Sequence, residues 1–551
     1  MEPISLISFL GFTILVGFIA WYATRSTNEK SADGFFLGGR SLGAITIAGS
    51  LLLTNLSAEQ IVGLNGQAFT EGVLVMAWET LAAVAMIITA IVLLPKYMRS
   101  GITTIPQFIE NRFDQQTKVI LSVLFLFAYG LVLLPTILYS GSLAFSSMFD
   151  LSNVLGISQN TIIWLCVWSI GIIGSIYAIF GGLKAVAVSD LINAIGLLIG
   201  GILIPYFGLK LVGDGSIGDG LSILWKEHPE KFNARGDVDA SIPFGTIFTG
   251  IILAQMYYWG TNQSILQRVF GAKNLREGQK GVILAGLVKF LIPVVVVLPG
   301  IIAWHVFDGD LPKADLAYPE LVRKVLPASF IGFFAAVLFG AVLSSFNSLL
   351  NSSATLFGFD LYKQLFNKDA TEEQTVKAGK RFGIGLSLIS MCIAPFIASA
   401  PDGLFAYIQE SLGSLSVPIL TVVLVGIYTK KVPALGAKIV LTAGVVMYLI
   451  SQFVISPIMV DAALAEAAVN GITDTKQLAI IKAKAYPHFL HIMGILFVIN
   501  LGIMLFMARI RPKTTPYEPM ITKEIDITPW KHALLAGIII TIIVLSTYFI
   551  F

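Results

Sequence analysis

Lys289 lies in GVILAGLVKFLIPVVVVLPGIIAW, an apolar stretch long enough to cross a bilayer on its own. An ammonium at that depth costs about 2.5–3.5 kcal/mol on insertion scales, so it is expected to face a wet cavity or a carboxylate. Glu59, Glu79, Asp190 and Glu410 also fall inside or beside apolar segments. Ionisable groups in that setting mark solute and ion paths. Two spans carry further polar residues. LLLTNLSAEQIVGLNGQAF holds Thr54, Asn55, Ser57, Glu59 and Gln60, with Gly63 and Gly66 behind them. FGAVLSSFNSLLNSSATLFGF holds Ser344, Ser345, Asn347, Ser348, Asn351, Ser352 and Ser353. Polar groups in hydrocarbon need partners, and broken backbone is tolerated only where it lines a cavity, so both spans are expected to be interrupted. Serine also serves as close-packing glue between helices, and that alternative stays open for the second stretch. Glutamate and glutamine pack poorly, which sets NLSAEQ apart.

The elements that must position these residues are membrane helices. The chain is 56% hydrophobic and only 13% charged, with mean hydropathy +0.83, against about 25% charged residues in soluble domains. That composition describes one polytopic membrane domain in a lipid bilayer, with no soluble domain attached. Apolar length gives about fourteen transmembrane helices, from 3–24 to 531–550. They include 43–66, 73–95, 160–180, 186–210, 243–264, 280–306 and 329–360. With the N-terminus outside, most of the 36 Lys and Arg fall in the alternate, inner loops, as the positive-inside rule requires. Both termini are then expected outside. The first apolar stretch follows an acidic Met-Glu-Pro and has no cleavage site, so it reads as a retained helix.

Several function classes fall away. HExxH and clustered metal ligands are absent from the sequence, which argues against an enzyme. The five histidines make no metal pattern; His488 and His491 share only a helix face. Cys166 and Cys392 sit in apolar spans and read as small core residues, not a disulfide. Nothing points to nucleic acid. No output domain follows the last span, which argues against a membrane sensor. What remains is a protein that moves a solute.

The same residues carry a family likeness. FFLGGRSL (35–42), TNLSAEQIVGLNGQAF (54–69), ITTIPQFIENRF (102–113), YAIFGGLKAVAVSD (177–190), YYWGTNQSILQR (257–268), the segment 277–301, AVLSSFNSLLNSSATLFGFDLYK (341–363) and FAYIQE (405–410) follow one another in order. They resemble the sodium/solute symporter family, especially its sodium–glucose cotransporter branch and the bacterial sodium/galactose cotransporter within it. The resemblance implies an all-α LeuT-type core of two inverted five-helix repeats, about 43–214 and 243–428. Helix 3–24 precedes the core and accessory helices at about 436–551 follow it. It implies a sodium-coupled symporter of the cell (inner) membrane that imports a glucose- or galactose-like monosaccharide by alternating access.

Residue by residue, the resemblance makes Gln60, Glu79, Lys289 and Gln409 sugar ligands. Gln255 joins them, standing where sugar transporters of this kind carry an asparagine. Tyr258 is the implied inner gate; Leu64, Trp78 and Phe405 stand where the family has Met, Tyr and Phe as outer gates. The implied Na+ site comprises the carbonyls of Leu53, Leu56 and Ala341 with the hydroxyls of Ser344 and Ser345. A second sodium site, as in the sialic acid branch, would use Asp190, Ser344, Asn347 and Ser348, with Asn347 replacing a serine. Ala82 stands where the galactose transporter has a serine. Both Gln255 and Ala82 fall in the sugar site, so another polyol or an acidic sugar is the competing solute; Lys289 could pair with a carboxylate.

Overall fold

The computed structural model describes residues 3–24, 37–399, 404–519, 521–522 and 525–550. Among these the chain is all-helical, apart from one bridge between Leu42 and Ala272. Twelve of its helical stretches are long and apolar enough to cross a membrane. Large apolar side chains also face outward, such as Ile7, Ile14 and Phe18 near one terminus and Leu534, Leu535 and Ile542 near the other. That surface suits lipid as its solvent.

The elements used below are α1 (Pro3–Thr24), α2 (Ala44–Asn55), α3 (Leu64–Glu71), α4 (Met76–Ile88), α5 (Leu134–Met148), α6 (Gln159–Val212), α7 (Gly250–Gly260) and α8 (Gln263–Phe270). They continue as α9 (Leu275–Lys289), α10 (Ile292–Val306), α11 (Ala328–Thr355), α12 (Glu372–Ile393), α13 (Leu404–Tyr428), α14 (Ala434–Ile450), α15 (Phe489–Ile510) and α16 (Ala533–Ile550). α2 packs between α6 and α9, α4 lies against α7 and α9, and α13 packs on α7. α1 and α6 both cover α11.

The TNLSAEQ stretch is broken, as its polar run suggests. The Leu56 N–H still donates to Leu52 O at 2.7 Å, but Leu56 then takes φ −83 and ψ 58. Backbone bonding restarts at Ser57, whose carbonyl accepts from Gln60 and Ile61 at 3.1 and 3.0 Å. A wide-turned segment, Glu59–Gly63, leads into α3, a form that often marks functional sites. A second break lies in the expected span 243–264. It holds only an 11-residue helix, α7, preceded by the turn Phe244–Phe248. The N–H groups of Thr261 and Asn262 both donate to Tyr257 O, at 2.9 and 3.0 Å, closing α7. The Asn262 side chain then accepts from Ser264 N at 3.0 Å and opens α8.

The serine-rich span is not interrupted. α11 runs unbroken for 28 residues. Some of its hydroxyls return to carbonyls one turn back, Ser353 to Leu349 O and Thr355 to Asn351 O, both at 2.7 Å, while Ser345 and Ser352 bond across to Thr54 O and Gln267 Oε1, both at 2.9 Å. Short hydroxyls find acceptors within their helix or on a close neighbour without a break in the backbone. Cys392 also departs from expectation. It is free and exposed, while Cys166 is half-buried. In lipid an apolar position need not point inward.

α6 is one helical stretch of 54 residues, which would be about 81 Å long at 1.5 Å per residue. It cannot be a straight rod. Tyr177 Oη donates to Ser189 Oγ at 2.8 Å, whereas a twelve-residue straight rise is about 18 Å. The stretch doubles back between those residues, near the expected junction of 160–180 with 186–210. Lys289 likewise ends a helix: α9 stops there, and α10 restarts at Ile292 with Pro293, which has no N–H to give.

The turn between α3 and α4 needs glycine. Gly72 has φ 76 and ψ −146, a region open to glycine almost alone, and a Cβ there would meet Lys231 O at 2.2 Å. Gly72→Ala is expected to cost about 1–3 kcal/mol or more, read as a lowered Tm and a smaller monodisperse fraction in detergent. An unchanged Tm would contradict this account of the turn.

Candidate functional site

A cavity of about 80 Å³ is bordered by residues of α2, α4, α5, α7, α8, α9, α11 and α13 and by the wide-turned segment between α2 and α3. Gln60, Glu79, Gln255, Lys289 and Gln409, the residues expected to bind solute, all border it. So do the expected gates Trp78, Tyr258 and Phe405. Leu64 does not border it and is fully buried.

The charges of the cavity are paired. Lys289 and Glu79 are 0% and 1% exposed. Lys289 Nζ donates to Glu79 Oε2 and to Asn55 Oδ1, and lies 5.5 Å from the centroid of the Trp259 ring. Gln60 Nε2 donates to Glu79 Oε1 at 2.5 Å. The chain Asn55–Lys289–Glu79–Gln60 thus joins α2, α9, α4 and the segment after the break. An ammonium has three protons and each carboxylate oxygen two acceptor sites, so hydrogen-bonding capacity is left for a solute.

Gln255 is held at both ends. Its Nε2 donates to Trp78 O at 2.8 Å, and its Oε1 accepts from Trp259 Nε1 at 3.1 Å. The side chain therefore fixes the aromatic walls as well as bordering the space between them. Trp78 and Phe405 meet edge to face, with centroids 5.4 Å apart at 73°. Tyr258 makes the same kind of contact with Trp259, at 5.1 Å and 78°.

Phe405 also borders a second cavity, of about 430 Å³, together with Gly63, Tyr139, Lys313 and Asp315. The aromatic pair thus stands between the two spaces. Asp315 carries a raised carboxyl pKa, pushed up to about 6 by burial against the opposing hydrogen bond from Leu404 N. That bond is 3.3 Å long.

The residues expected at the cation site converge less fully. Leu53 and Leu56 lie on the last turn of α2 and at the break, and Ala341, Ser344 and Ser345 lie on α11. Ser345 Oγ donates to Thr54 O at 2.9 Å and borders the central cavity, tying α11 to the end of α2. Ser344 Oγ is buried without a hydrogen-bond partner.

At the expected second site, Asp190 Oδ2 accepts from Ser50 Oγ at 2.6 Å. Ser50 Oγ in turn accepts from Arg268 Nε at 2.9 Å. Arg268 Nη2 lies 3.9 Å from Asp190 Oδ2 and donates to Ser348 Oγ. Both amide atoms of Asn347 are buried without partners.

Arg268 and Asn55 were not assigned roles on the sequence. Asn55 stands in the polar run before the break. Arg268 ends the motif YYWGTNQSILQR and is 1% exposed. A buried guanidinium needs several acceptors, and an aspartate in an apolar span was the only hint that one was near.

The sodium:solute symporter family model matches residues 35–444. The uncharacterized symporter YidK of Escherichia coli (strain K12) is 42% identical over 100% of this chain and 91% of its own length. The sodium/glucose cotransporter of Vibrio parahaemolyticus is 32% identical over 80% of this chain and 83% of its own length. Among solved structures, the substrate-bound outward-open state of a Na+-coupled sialic acid symporter matches with a TM-score of 0.68. It is 19% identical, covering 91% of this chain and 98% of that one. At that identity the match speaks for the fold alone, the LeuT-type fold expected from the sequence.

Because removing one member of a buried pair leaves the other uncompensated, Lys289→Met should cost about 3–5 kcal/mol. Adding Glu79→Gln removes the orphaned charge and should recover part of the lost Tm. Thermal unfolding in detergent reads both. A single variant as stable as its parent would show that the pair is not closed in the membrane.

Proposed function

Since the chain belongs to the sodium:solute symporter family and uses sodium as its coupling ion, we propose that its solute is a neutral monosaccharide, glucose- or galactose-like, imported by alternating access. The observation that carries this is the paired charge of the cavity. Lys289 is already engaged by Glu79, so the site has no spare positive charge for an acidic sugar. It has donors and acceptors for hydroxyls and aromatic walls for a C–H face. The sodium/glucose cotransporter of Vibrio parahaemolyticus lends the sugar its support.

In this reading Gln60, Glu79, Lys289 and Gln409 contact the sugar, and Gln255 does so while holding Trp78 and Trp259. Trp78 and Phe405 close the outer side and Tyr258 the inner side. Leu64 supports that closure from within the packing. Sodium sits between the broken helix and α11, on the carbonyls of Leu53, Leu56 and Ala341 and the hydroxyls of Ser344 and Ser345. Hard cations favour such oxygen sets. Its arrival ties α2 to α11 and fixes the polar face that the sugar meets. At Asp190, Asn347 and Ser348 the Arg268 guanidinium supplies positive charge, which favours one sodium ion per sugar. The breaks near Leu56 and Thr261 are the paired discontinuities that two inverted repeats, 43–214 and 243–428, would carry. Helix 3–24 and the helices of 436–551 then flank the core. The protein lies in the cell (inner) membrane with both termini outside.

Counterflow of labelled glucose and galactose in proteoliposomes tests the proposal. Uptake is expected in sodium buffer and not in choline. Ser345→Ala should raise the sodium concentration for half-maximal uptake roughly tenfold, equivalent to about 1.4 kcal/mol. Equal uptake in the two buffers, or none of either sugar in a preparation that binds sodium, would refute it.

A further inference from the structure

Two histidines that are far apart in sequence meet at the end of α10. His305 lies on its last turn, and His228 follows the surface helix Ile217–Glu227. His228 Nε2 and His305 Nδ1 are 3.1 Å apart. Glu227 Oε2 is 3.5 Å from the same His305 Nδ1. The three groups can each turn one ligand atom to a common point, all within 4.8 Å of one another. No spacing along the chain shows this cluster, because its members come from two segments that only the fold brings together.

We propose that Glu227, His228 and His305 form a surface site for a borderline divalent cation, Zn2+ in particular. Two imidazoles and a carboxylate are a common zinc donor set, bound at about 2.0–2.2 Å. At that bond length, tetrahedral ligand atoms lie about 3.3 Å apart, and the observed 3.1 and 3.5 Å edges bracket that value. The remaining edge lies within 4.8 Å, and Glu227, with a side chain 57% exposed, can swing to fit it to the ion. Water completes the fourth position.

A further carboxylate supports the arrangement. Glu230 Oε1 lies 3.7 Å from His228 Nδ1, on the ring nitrogen that would not bind the ion. A carboxylate there favours the tautomer with Nδ1 protonated and Nε2 open to metal, and raises the ligand's basicity. Without an ion, the two rings share a single hydrogen bond beside an exposed glutamate, and that is the competing account.

The site would pin a segment that already leans on the broken helix. Lys231 Nζ donates to Phe69 O and Thr70 O at 3.1 and 2.5 Å, at the end of α3. It also lies 3.6 Å from the centroid of the Trp304 ring, next to His305. An ion joining 227–228 to 305 closes this contact from its other side.

Equilibrium dialysis of the tag-free protein in detergent against micromolar Zn2+, followed by metal analysis, tests the proposal. One Zn2+ per chain is expected, falling at least tenfold in occupancy at the same free zinc in His228→Ala and in His305→Gln. Titration with Co2+ should give the intense visible bands of a four-coordinate site in the parent and not in either variant. A normal Tm without metal confirms that the variants are folded. No stoichiometric zinc in the parent, or undiminished zinc in both folded variants, would overturn the assignment.

Discussion

The structure depends on one constraint: the ammonium of Lys289 must be compensated inside a membrane. It lies fully buried, at the last residue of α9 before the chain kinks toward Pro293. Only a close carboxylate and further acceptors make such burial tolerable. Glu79 supplies the charge and Asn55 a second acceptor. Those two residues come from α4 and from the turn before the break, so compensating one charge fixes three elements around one space. The cavity is what this arrangement encloses.

The broken helix turns that space into a site where two ligands can interact. A continuous α-helix would spend its carbonyls on its own hydrogen bonds. At Leu56 the backbone leaves that pattern, and α11 lies close enough for Ser345 to bond Thr54 O. The neighbouring residue, Asn55, holds Lys289. Two of the proposed cation ligands, Leu53 and Leu56, therefore share one short segment with Asn55, an acceptor of the lysine proposed to meet the solute. Anything that orders the backbone at 53–56 also orders the acceptor of the buried lysine. Coupling needs no long relay here.

Much of this was legible in the sequence. Lys289 and Glu79 declared themselves because charges inside apolar spans are costly, and NLSAEQ did so because glutamate and glutamine are poor packing residues. The polar run of α11 misled, since short hydroxyls find acceptors on their own helix or on a close neighbour, and serine composition alone does not signal a break. The break at Thr261 was only hinted at, because its polar cluster, within YYWGTNQSILQR, falls at the end of an apolar span, where polar residues are expected in any case. Arg268, His228 and His305 could not be placed at all. Their partners lie on other elements, and no spacing along the chain encodes a contact that the fold creates.

If the segment 53–56 links the two ligands, their binding must be reciprocal. A coupling free energy changes both affinities by one factor. The direct measurement is the sodium affinity of the purified protein, titrated without hexose and again with saturating galactose or glucose, beside the hexose affinity at low and saturating sodium. The account predicts that each ligand tightens the other by the same factor, about fivefold or more. Sodium and hexose affinities that are independent of one another would contradict it.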